Sequence, residues 1–289
     1  MKALAPGVTL RPLRAADLPA ASELRRLAGW NQTERAWAGD LEVEPAGCLA
    51  AEFEGRVVGT ATTITYGSRF GWIGMVLVDP SHRRGGIGSV LLGRSIQYLR
   101  TKGVAGIKLD ATPMGRAVYL PMGFRDEYEL ARYEGVAGEF NHPSEDVEAF
   151  TASDWEEAVA FDAAVFGAER SAVIRSLAGR NPEWCFVARK KGRIAGLVIA
   201  RQGSNAVQVG PWIASDEAIA AGLIAAVWRR IAGRRVFVDV PAPNSAGTAL
   251  VGRLGLGVQR GFTRMYLGEN AFPGQPEWWY STSGAEKGE

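Results

Sequence analysis

One short segment constrains the fold of this chain more than any other, the glycine-rich sequence RRGGIG at 83–88. A nearly continuous apolar run, 72–78, comes directly before it. Apolar residues at helical spacing follow over 87–102, and Gly103 is placed to end that pattern. The sequence therefore predicts a strand, a tight loop and a helix, in that order.

The charge of this loop predicts that it binds an anion. Arg83 and Arg84 lie where the helix begins. A helix N-terminus already carries about half a positive charge, so each added cation costs about 0.3–1 kcal/mol there. A bound anion removes that cost, and the glycines leave backbone N–H groups free to surround it. We interpret the segment as a phosphate-binding loop.

Two well-known phosphate loops do not match this one. A nucleoside-triphosphate loop needs a lysine and then Ser or Thr after its last glycine, whereas Gly88 is followed directly by Ser89. A dinucleotide fingerprint needs a third glycine where this chain has Leu91. The loop therefore belongs to another class.

The spacing of Arg83, Gly86 and Gly88 resembles the Gln/Arg-x-x-Gly-x-Gly/Ala signature of the GNAT superfamily of acyl-CoA-dependent N-acetyltransferases. Further segments are similar to one bacterial subfamily whose members carry a second, diverged GNAT-like domain: 29–33 (GWNQT), 109–113 (LDATP) and 119–124 (YLPMGF). The resemblance covers about residues 8–134 with specific motifs and 145–268 more weakly.

The resemblance implies acetyl-CoA as the cofactor and a set of residues that hold it. In GNAT enzymes the pantetheine runs beside the preceding strand like an extra strand, and the pyrophosphate lies on the loop. Thr112 stands where many relatives have an asparagine that contacts the pantetheine, and Gly74 marks either a strand bulge or a close packing contact. The implied cofactor contacts are Val76, Leu77, Val78, Arg83, Arg84, Gly85, Gly86, Ile87, Gly88, Ser89 and Thr112.

The resemblance also implies direct attack of an amine on the acetyl thioester within a ternary complex. Tyr119 precedes Gly123 and Phe124 as the usual GNAT acid does, and a tyrosine with a reference pKa of about 10 can donate a proton at neutral pH. The base that accepts the amine proton stays open. The candidates are Asp79, Asp110, Glu52, His82 and a water-mediated route.

The acceptor amine is expected to enter across the first helix-loop-helix, where Trp30 and Asn31 lie. The alternative is that Trp30 packs in the core and Asn31 caps the next helix. The second domain is expected to close over this opening and to contribute Asp239, with Trp212 and Asn244 as further candidates.

An internal duplication predicts two domains. Segments 14–18 and 54–59 match 151–155 and 191–196 at the same offset, and the offset becomes shorter after the predicted phosphate loop. The second copy has no glycine run there, and its helix begins with two carboxylates, which repel phosphate. The predicted fold is α/β, with two tandem GNAT-like domains, each a mixed, mostly antiparallel sheet flanked by helices.

We divide the chain into three parts. Residues 1–138 form the acetyl-CoA-binding catalytic domain, 139–270 the diverged domain without a cofactor loop, and 271–289 a tail. The polar stretch 135–145 is typical of a linker. The tail is rich in Pro, Gly and polar residues and is expected to be loosely held. Its aromatic run at 278–280 favours the alternative of docking onto a domain or another subunit.

Composition excludes several classes of function. The 289 residues carry 33 basic and 31 acidic side chains, so neither nucleic acid nor an anionic membrane is an expected partner. No apolar stretch reaches about 18 residues, and the N-terminus lacks an export-signal core. Cys48 and Cys185 form neither a disulfide framework nor a metal site. A cytoplasmic enzyme without a metal fits this composition, and its oligomeric state stays open.

The expected function is acetyl transfer from acetyl-CoA to the amine of a small metabolite. Two alternatives within enzymes are transfer of longer acyl chains and modification of protein amines. A different class is a non-catalytic acyl-CoA sensor, in which the first domain binds the cofactor and the second reports it to a partner.

Overall fold

The computed structural model describes residues 4–143 and 146–287. The first half of the chain alternates strands and helices in the order predicted around the glycine-rich loop. Its elements are β1 (Val8–Pro12), α1 (Leu18–Leu27), α2 (Glu34–Val43), β2 (Leu49–Phe53), β3 (Arg56–Tyr66), β4 (Phe70–Val78), α3 (Ile87–Thr101), β5 (Gly106–Ala111), α4 (Pro113–Tyr119) and β6 (Arg125–Val136).

The second half repeats the same order of elements and then adds one strand. Its elements are β7 (Val147–Ala149), α5 (Trp155–Phe166), α6 (Ser171–Ala178), β8 (Cys185–Lys190), β9 (Arg193–Gln202), β10 (Val207–Ala214), α7 (Glu217–Ile231), β11 (Arg235–Pro241), α8 (Ser245–Arg253), β12 (Gly257–Gly268) and β13 (Trp279–Ser281). The predicted duplication and the predicted α/β fold class are confirmed.

The strands of both halves join in one sheet, and the halves exchange their last long strands. The order is β1-β2-β3-β4-β5-β12-β6-β11-β10-β9-β8-β7, with β13 paired to β10. Strand β12 therefore lies between β5 and β6 of the first half, and β6 lies between β12 and β11 of the second. Pairing is antiparallel except between β4 and β5 and between β10 and β11.

The two halves also share apolar core. One buried cluster joins Phe70 and Trp72 of β4 to Phe166 of α5, Ile174 of α6 and Trp279 of β13. The Phe70 and Phe166 rings lie 5.3 Å apart between centroids. Burial of large aromatic side chains across the junction stabilises the relative position of the halves.

The expectation of a loosely held tail is wrong for Trp279–Lys287, and the docking alternative is what the structure shows. Strand β13 pairs with β10, and residues 281–283 are fully buried. Beyond them, Lys287 forms an ion pair with Asp40 of α2. The predicted linker begins within β6, which extends to Val136, and its residues 144 and 145 lie outside the described residues.

Candidate active site

The predicted phosphate loop forms an irregular turn between β4 and α3. Eight residues, 79–86, separate the two elements. Arg84 and Gly86 both adopt left-handed backbone conformations, with φ of 67° and 81°. Because glycine adopts this conformation without steric cost, Gly86 fits the position where the loop turns into the helix. Right- and left-handed residues in succession turn neighbouring N–H groups toward one concave side, which suits an anion.

The start of α3 is not capped by the protein. Gly86 is the N-cap residue of α3 and has no side chain to accept a hydrogen bond from the first turn. Arg83 and Arg84 are exposed, and the Arg83 Nε donates to the carbonyl of Val78 at 3.3 Å. Within the described residues, this helix start therefore combines N–H groups that no side chain caps with two neighbouring cations.

The equivalent place in the second half is built differently. Only Ser215 and Asp216 separate β10 from α7. The Asp216 side chain caps α7 by accepting from the N–H of Ile219 at 3.0 Å, and it also binds Lys190 at 2.9 Å. A carboxylate occupies the place where the first half offers N–H groups to an anion.

Strand β4 has an unpaired edge beside this loop. It pairs with β5 only over Phe70–Trp72, after which the two strands diverge. A bulge at Met75, which has a φ of 51°, lies next to Gly74. The N–H of Asp79 donates to a carbonyl of β3. Because the main-chain polar groups of successive residues point to opposite sides of a strand, the N–H and C=O of Val78 point toward the gap. By the same alternation Leu77 faces β3, so its main chain is turned away from the gap.

In the second half the corresponding gap is filled by the protein itself. Strand β10 pairs with β11 only over Val207–Val209 and carries a bulge at Gly210 and Pro211. Beyond that bulge β13 lies against β10, with Trp212 opposite Ser281. The C-terminal strand therefore takes the place that the resemblance assigns to pantetheine in the first half.

A cavity lies where β4 and β5 diverge, next to the start of α2. It brings together residues from both halves of the chain and from the C-terminal segment. Its lining is Trp30, Gln32, Ile73, Gly74, Met75, Val76, Asp110, Thr112, Tyr119, Arg132, Arg260, Phe262 and Ala285. The predicted catalytic Tyr119 and the predicted Trp30, Val76 and Thr112 meet here.

Tyr119 is buried in the wall of this cavity. Burial raises the pKa of its phenol to about 12. No hydrogen-bond partner for its hydroxyl is found within residues 4–143 and 146–287. The side chain is held by packing against Phe124, with ring centroids 6.0 Å apart. A neutral phenol held in this way is suited to donate a proton.

Thr112 has a structural contact as well as a place in the cavity. Its hydroxyl oxygen caps α4 by accepting from the N–H of Gly115 at 3.1 Å. The hydroxyl hydrogen stays available, so the cap and a contact to a ligand are compatible.

The charged groups of the cavity are mostly paired. Asp110 accepts from both Nε and Nη2 of Arg264, at 2.6 and 3.0 Å. Arg132 binds Asp239 in a bidentate pair at 2.7 Å for each contact. Arg260 forms no ion pair with the residues described, and its Nε is buried without a hydrogen-bond partner. Burial lowers the pKa of Arg260 to about 10, and the charge of Arg132 adds to this effect.

Two predicted acceptor contacts do not lie in the cavity. Asn31 is buried between the halves: its Oδ1 accepts from the N–H groups of Asn205 and Ala206, and its Nδ2 donates to Gln208. We therefore replace the predicted substrate contact of Asn31 with an interdomain role. Nor does Asn31 cap α2, whose N-cap residue is Thr33.

Asp239 lies one layer below the cavity. Its two oxygens bind Arg132, and one of them also accepts from Gln208 at 3.1 Å. It reaches the cavity only through Arg132, so we correct its predicted role from contact to positioning. Sequence reasoning missed Arg132 and Arg260 because no local motif marks them, and only the exchange of β6 and β12 brings Arg260 of the second half beside Arg132 of the first.

The candidate bases are all engaged in other contacts. Asp79 accepts from the N–H and hydroxyl of Ser81 at 2.8 and 2.5 Å. Glu52 binds Arg11 at 2.6 Å, and Asp110 is held by Arg264. His82 packs on the Phe53 ring and does not line the cavity. Asp110 is the one carboxylate among the lining residues described.

The two cysteines are free thiols in the interior of the protein. Cys48 and Cys185 are both buried, and burial raises the pKa of the Cys185 thiol to about 12. In the part of the chain that the structure describes, no group of three or more His, Cys, Asp and Glu is placed to hold a metal ion. Among the same residues, no helix combines the length and the apolarity that a bilayer crossing requires.

Comparison with known protein families identifies the family of this chain. The model of the acetyltransferase (GNAT) family matches residues 13–124, and a second acetyltransferase (GNAT) domain model matches residues 158–281. The chain belongs to the GNAT acetyltransferases. It is an acyltransferase with two GNAT domains, and GNAT proteins in general use acetyl-CoA.

Two curated proteins resemble this GNAT chain along much of their length. Holothin acyltransferase from Pseudoalteromonas sp. (strain SANK 73390) is 23% identical over 74% of this chain and 70% of its own. The uncharacterized N-acetyltransferase YitH from Bacillus subtilis (strain 168) is 28% identical over 60% of this chain and 61% of its own, so the match spans less than two thirds of that relative.

Solved structures share the tandem GNAT fold. A putative acetyltransferase from Pyrococcus horikoshii has a TM-score of 0.85 at 23% identity, covering 99% of this chain and 98% of its own. A tandem GNAT protein from the clavulanic acid biosynthesis pathway has a TM-score of 0.63 at 16% identity, covering 90% of this chain and 98% of its own. At these identities the likeness concerns the fold alone.

Proposed function

We propose that this chain is an acetyl-CoA-dependent N-acetyltransferase that acetylates the amine of a small metabolite by direct attack in a ternary complex. The observation that carries the proposal is the convergence of three features at one end of β4. The uncapped start of α3, the unpaired edge beyond Trp72 and the unpartnered hydroxyl of Tyr119 lie along one path.

The residues present fit coenzyme A at this place. The N–H groups from Arg84 to Ser89 and the two arginine side chains suit a pyrophosphate, because they combine donors with positive charge, whereas the N–H of Arg83 already bonds to the carbonyl of Pro80. The polar groups of Val78 on the open strand edge suit the pantetheine amides. When bound, acetyl-CoA supplies an activated acetyl group.

The chain's own residues then have distinct tasks. Tyr119 holds a proton on its hydroxyl and donates it to the departing thiolate, and the proton that the attacking nitrogen loses as the amide forms restores the neutral phenol. Trp30 and the C-terminal segment at Ala285 exclude water from the cavity. Burial in this cavity disfavours an ammonium group, so the acceptor enters as the neutral amine and leaves its extra proton in bulk water.

We further propose one cofactor site per chain. The second half has a carboxylate-capped helix at Asp216 and a gap filled by β13, so neither the pyrophosphate nor the pantetheine finds an equivalent place. The second domain instead supplies Arg260, Phe262 and the C-terminal segment to the cavity of the first.

Calorimetric titration of acetyl-CoA into the wild type and into Gly86→Glu tests the proposal. Gly86→Glu places a carboxylate where the pyrophosphate is expected and should weaken binding by about 100-fold or more. Gly103→Glu is the matched control: it lies at the other end of α3, has a φ of +72°, and has no atom within 4 Å of an added Cβ. That variant should bind like the wild type.

The outcomes separate the alternatives. One binding site that Gly86→Glu abolishes supports the loop and the degenerate second half. Two sites overturn our account of the second half. Binding without acetyl transfer to any amine overturns the enzyme and favours an acyl-CoA sensor. Transfer to longer acyl chains or to protein amines is found by varying the donor and the acceptor in the same assay.

A further inference from the structure

The cavity carries one positive charge that none of the described residues neutralises. Among the described residues that line it, Asp110, Arg132 and Arg260 are charged. Asp110 forms a bidentate pair with Arg264, and Arg132 forms one with Asp239. Arg260 has no such partner, so the cavity as a whole has a surplus of one cation.

Among the residues that the structure describes, no carboxylate near Arg260 is free to pair with it. Both oxygens of Asp239 are bound by Arg132 at 2.7 Å, and Gln208 takes a further position on one of them. Breaking that pair to satisfy Arg260 would leave Arg132, which is almost fully buried, without its own partner. A buried charge that loses its partner strongly destabilises the fold, so the existing pairing is favoured.

The environment of Arg260 suits a planar anion. Its guanidinium carbon lies 5.0 Å from the centre of the Phe262 ring, a cation–π contact that helps to hold the side chain at the cavity. Its Nε is buried and has no acceptor among the described residues. A guanidinium binds a carboxylate through two parallel hydrogen bonds, which makes it a better match for this group than for a neutral amide.

A second polar group in the same cavity lacks a hydrogen-bond partner among the described residues, and it requires a donor, whereas Arg260 requires an acceptor. The Nε2 of Gln32 donates to Glu286 at 2.8 Å, and this contact fixes the orientation of the amide. Its Oε1 is buried and, within the described residues, receives no hydrogen bond. An amine or ammonium N–H is the kind of donor that this oxygen needs.

We propose that the acceptor is a small amine that also carries a carboxylate, of the amino-acid class, and that Arg260 binds this carboxylate. The proposal rests on the acetyltransferase function proposed above and names its acceptor class. Arg260 pairs with the carboxylate on the β12 side, and the amine lies nearer β4 and Tyr119. The phosphate loop is not part of this lining, so coenzyme A phosphates are not the partner of Arg260.

Thiol release from acetyl-CoA, measured with matched pairs of acceptors, tests this proposal. Each pair consists of an L-amino acid and its carboxamide, with aliphatic, aromatic and polar side chains represented. The wild type should favour the acid over the amide by about 30-fold or more in kcat/KM, which is the low end of what a desolvated ion pair contributes.

Three variants make the test specific. Arg260→Met keeps the length of the side chain without the charge and should reduce the preference to within about 3-fold. Arg260→Lys keeps the charge without the fork and should retain part of the preference. Arg180→Gln is the matched control, because Arg180 is also buried with an unpartnered Nε but lines a different cleft. It should leave the preference unchanged.

The outcomes also distinguish this proposal from the one on which it rests. All variants should bind acetyl-CoA with the wild-type Kd, which shows that they are folded. Equal use of acids and amides by the wild type overturns the acceptor class, as does an equal loss for both in Arg260→Met. A wild type that binds acetyl-CoA but acetylates none of the acids also overturns it. A wild type that does not bind acetyl-CoA overturns the proposed function itself.

Discussion

The main chain of Glu286 passes directly over Gly74. A Cβ atom on Gly74 would lie 3.0 Å from the Cα of Glu286 and closer still to its carbonyl oxygen. The Glu286 carboxylate is held from two sides, by Gln32 and by Arg201. The C-terminal segment is therefore fitted to β4 at the point where the strand opens, and it forms part of the cavity wall.

Gly74→Ala should displace this segment. We expect a loss of about 1–3 kcal/mol in the free energy of unfolding, because backbone atoms cannot move aside as flexible side chains do. Chemical denaturation measures the loss, and carboxypeptidase digestion reports the release of the segment. Gly252→Ala in α8 is the control, since no atom lies within 4 Å of its added Cβ. Unchanged stability together with unchanged resistance to digestion would contradict the contact.

Asn31→Ala should affect stability rather than acceptor binding. The variant leaves the buried N–H groups of Asn205 and Ala206 without their acceptor, which costs about 1–3 kcal/mol. Denaturation measures this loss, and steady-state kinetics below the transition should show a KM for the acceptor within about twofold of wild type. A large rise in that KM without a loss of stability would restore the substrate contact that the sequence predicts.

Tyr119→Phe should lower kcat by about 10²- to 10⁴-fold, the usual contribution of a positioned general acid, with the acetyl-CoA Kd unchanged. Tyr266→Phe, outside the cavity lining, is the control. An unchanged kcat in Tyr119→Phe would remove the assigned acid.

The pH dependence of Tyr119 follows from its burial. Its pKa is raised to about 12, so the phenol stays protonated at all ordinary assay pH values. Because the folded pKa lies above the unfolded value of about 10, the related stability is complete below about pH 10 and is lost as the pH rises toward 12. The kcat profile should therefore show no Tyr119 ionisation below about pH 11 while the protein stays folded. This prediction would be contradicted if the wild-type kcat fell near pH 9 and the same ionisation were missing from the kcat profile of Tyr119→Phe.

The two helix starts should respond differently to alanine. Gly86→Ala forces a side chain into a left-handed conformation, which costs about 1–2 kcal/mol, and should weaken acetyl-CoA binding. Asp216→Ala removes an N-cap, which costs about 0.5–2 kcal/mol, and should leave acetyl-CoA binding unchanged. Denaturation and calorimetry on both variants check this contrast. Weaker acetyl-CoA binding in Asp216→Ala would argue for a second cofactor site.

Local chemistry made the first half of the site predictable. The loop at 83–88, the apolar strand before it and the periodic helix after it lie within about thirty residues, and each leaves a short-range pattern. The role of Tyr119 is predicted in the same way, from its spacing to Gly123 and Phe124. The duplication was visible because the matching turns keep nearly constant spacing, and the second helix start revealed its difference through Asp216.

The acceptor side of the cavity was not predictable by this route. Asn31 lies in the expected loop, but its partners are Asn205, Ala206 and Gln208, far away in the chain. Arg260 lies on β12. If the two domains had separate sheets, this strand would stay within the second half and would not reach the cavity. No short-range pattern encodes which distant strand becomes a neighbour.

The sequence by itself determined the family and the duplicated α/β architecture, and it predicts the phosphate loop and the acid, because these depend on periodicity, glycine conformation and spacing along the chain. Only the tertiary structure decided the exchange of β6 and β12, the burial of the C-terminal segment and the unpaired charge of Arg260. These features depend on long-range packing. A mostly polar segment such as 279–287 becomes ordered because two domains bury its aromatic rings and pair its charges, and that benefit exists only in the assembled fold.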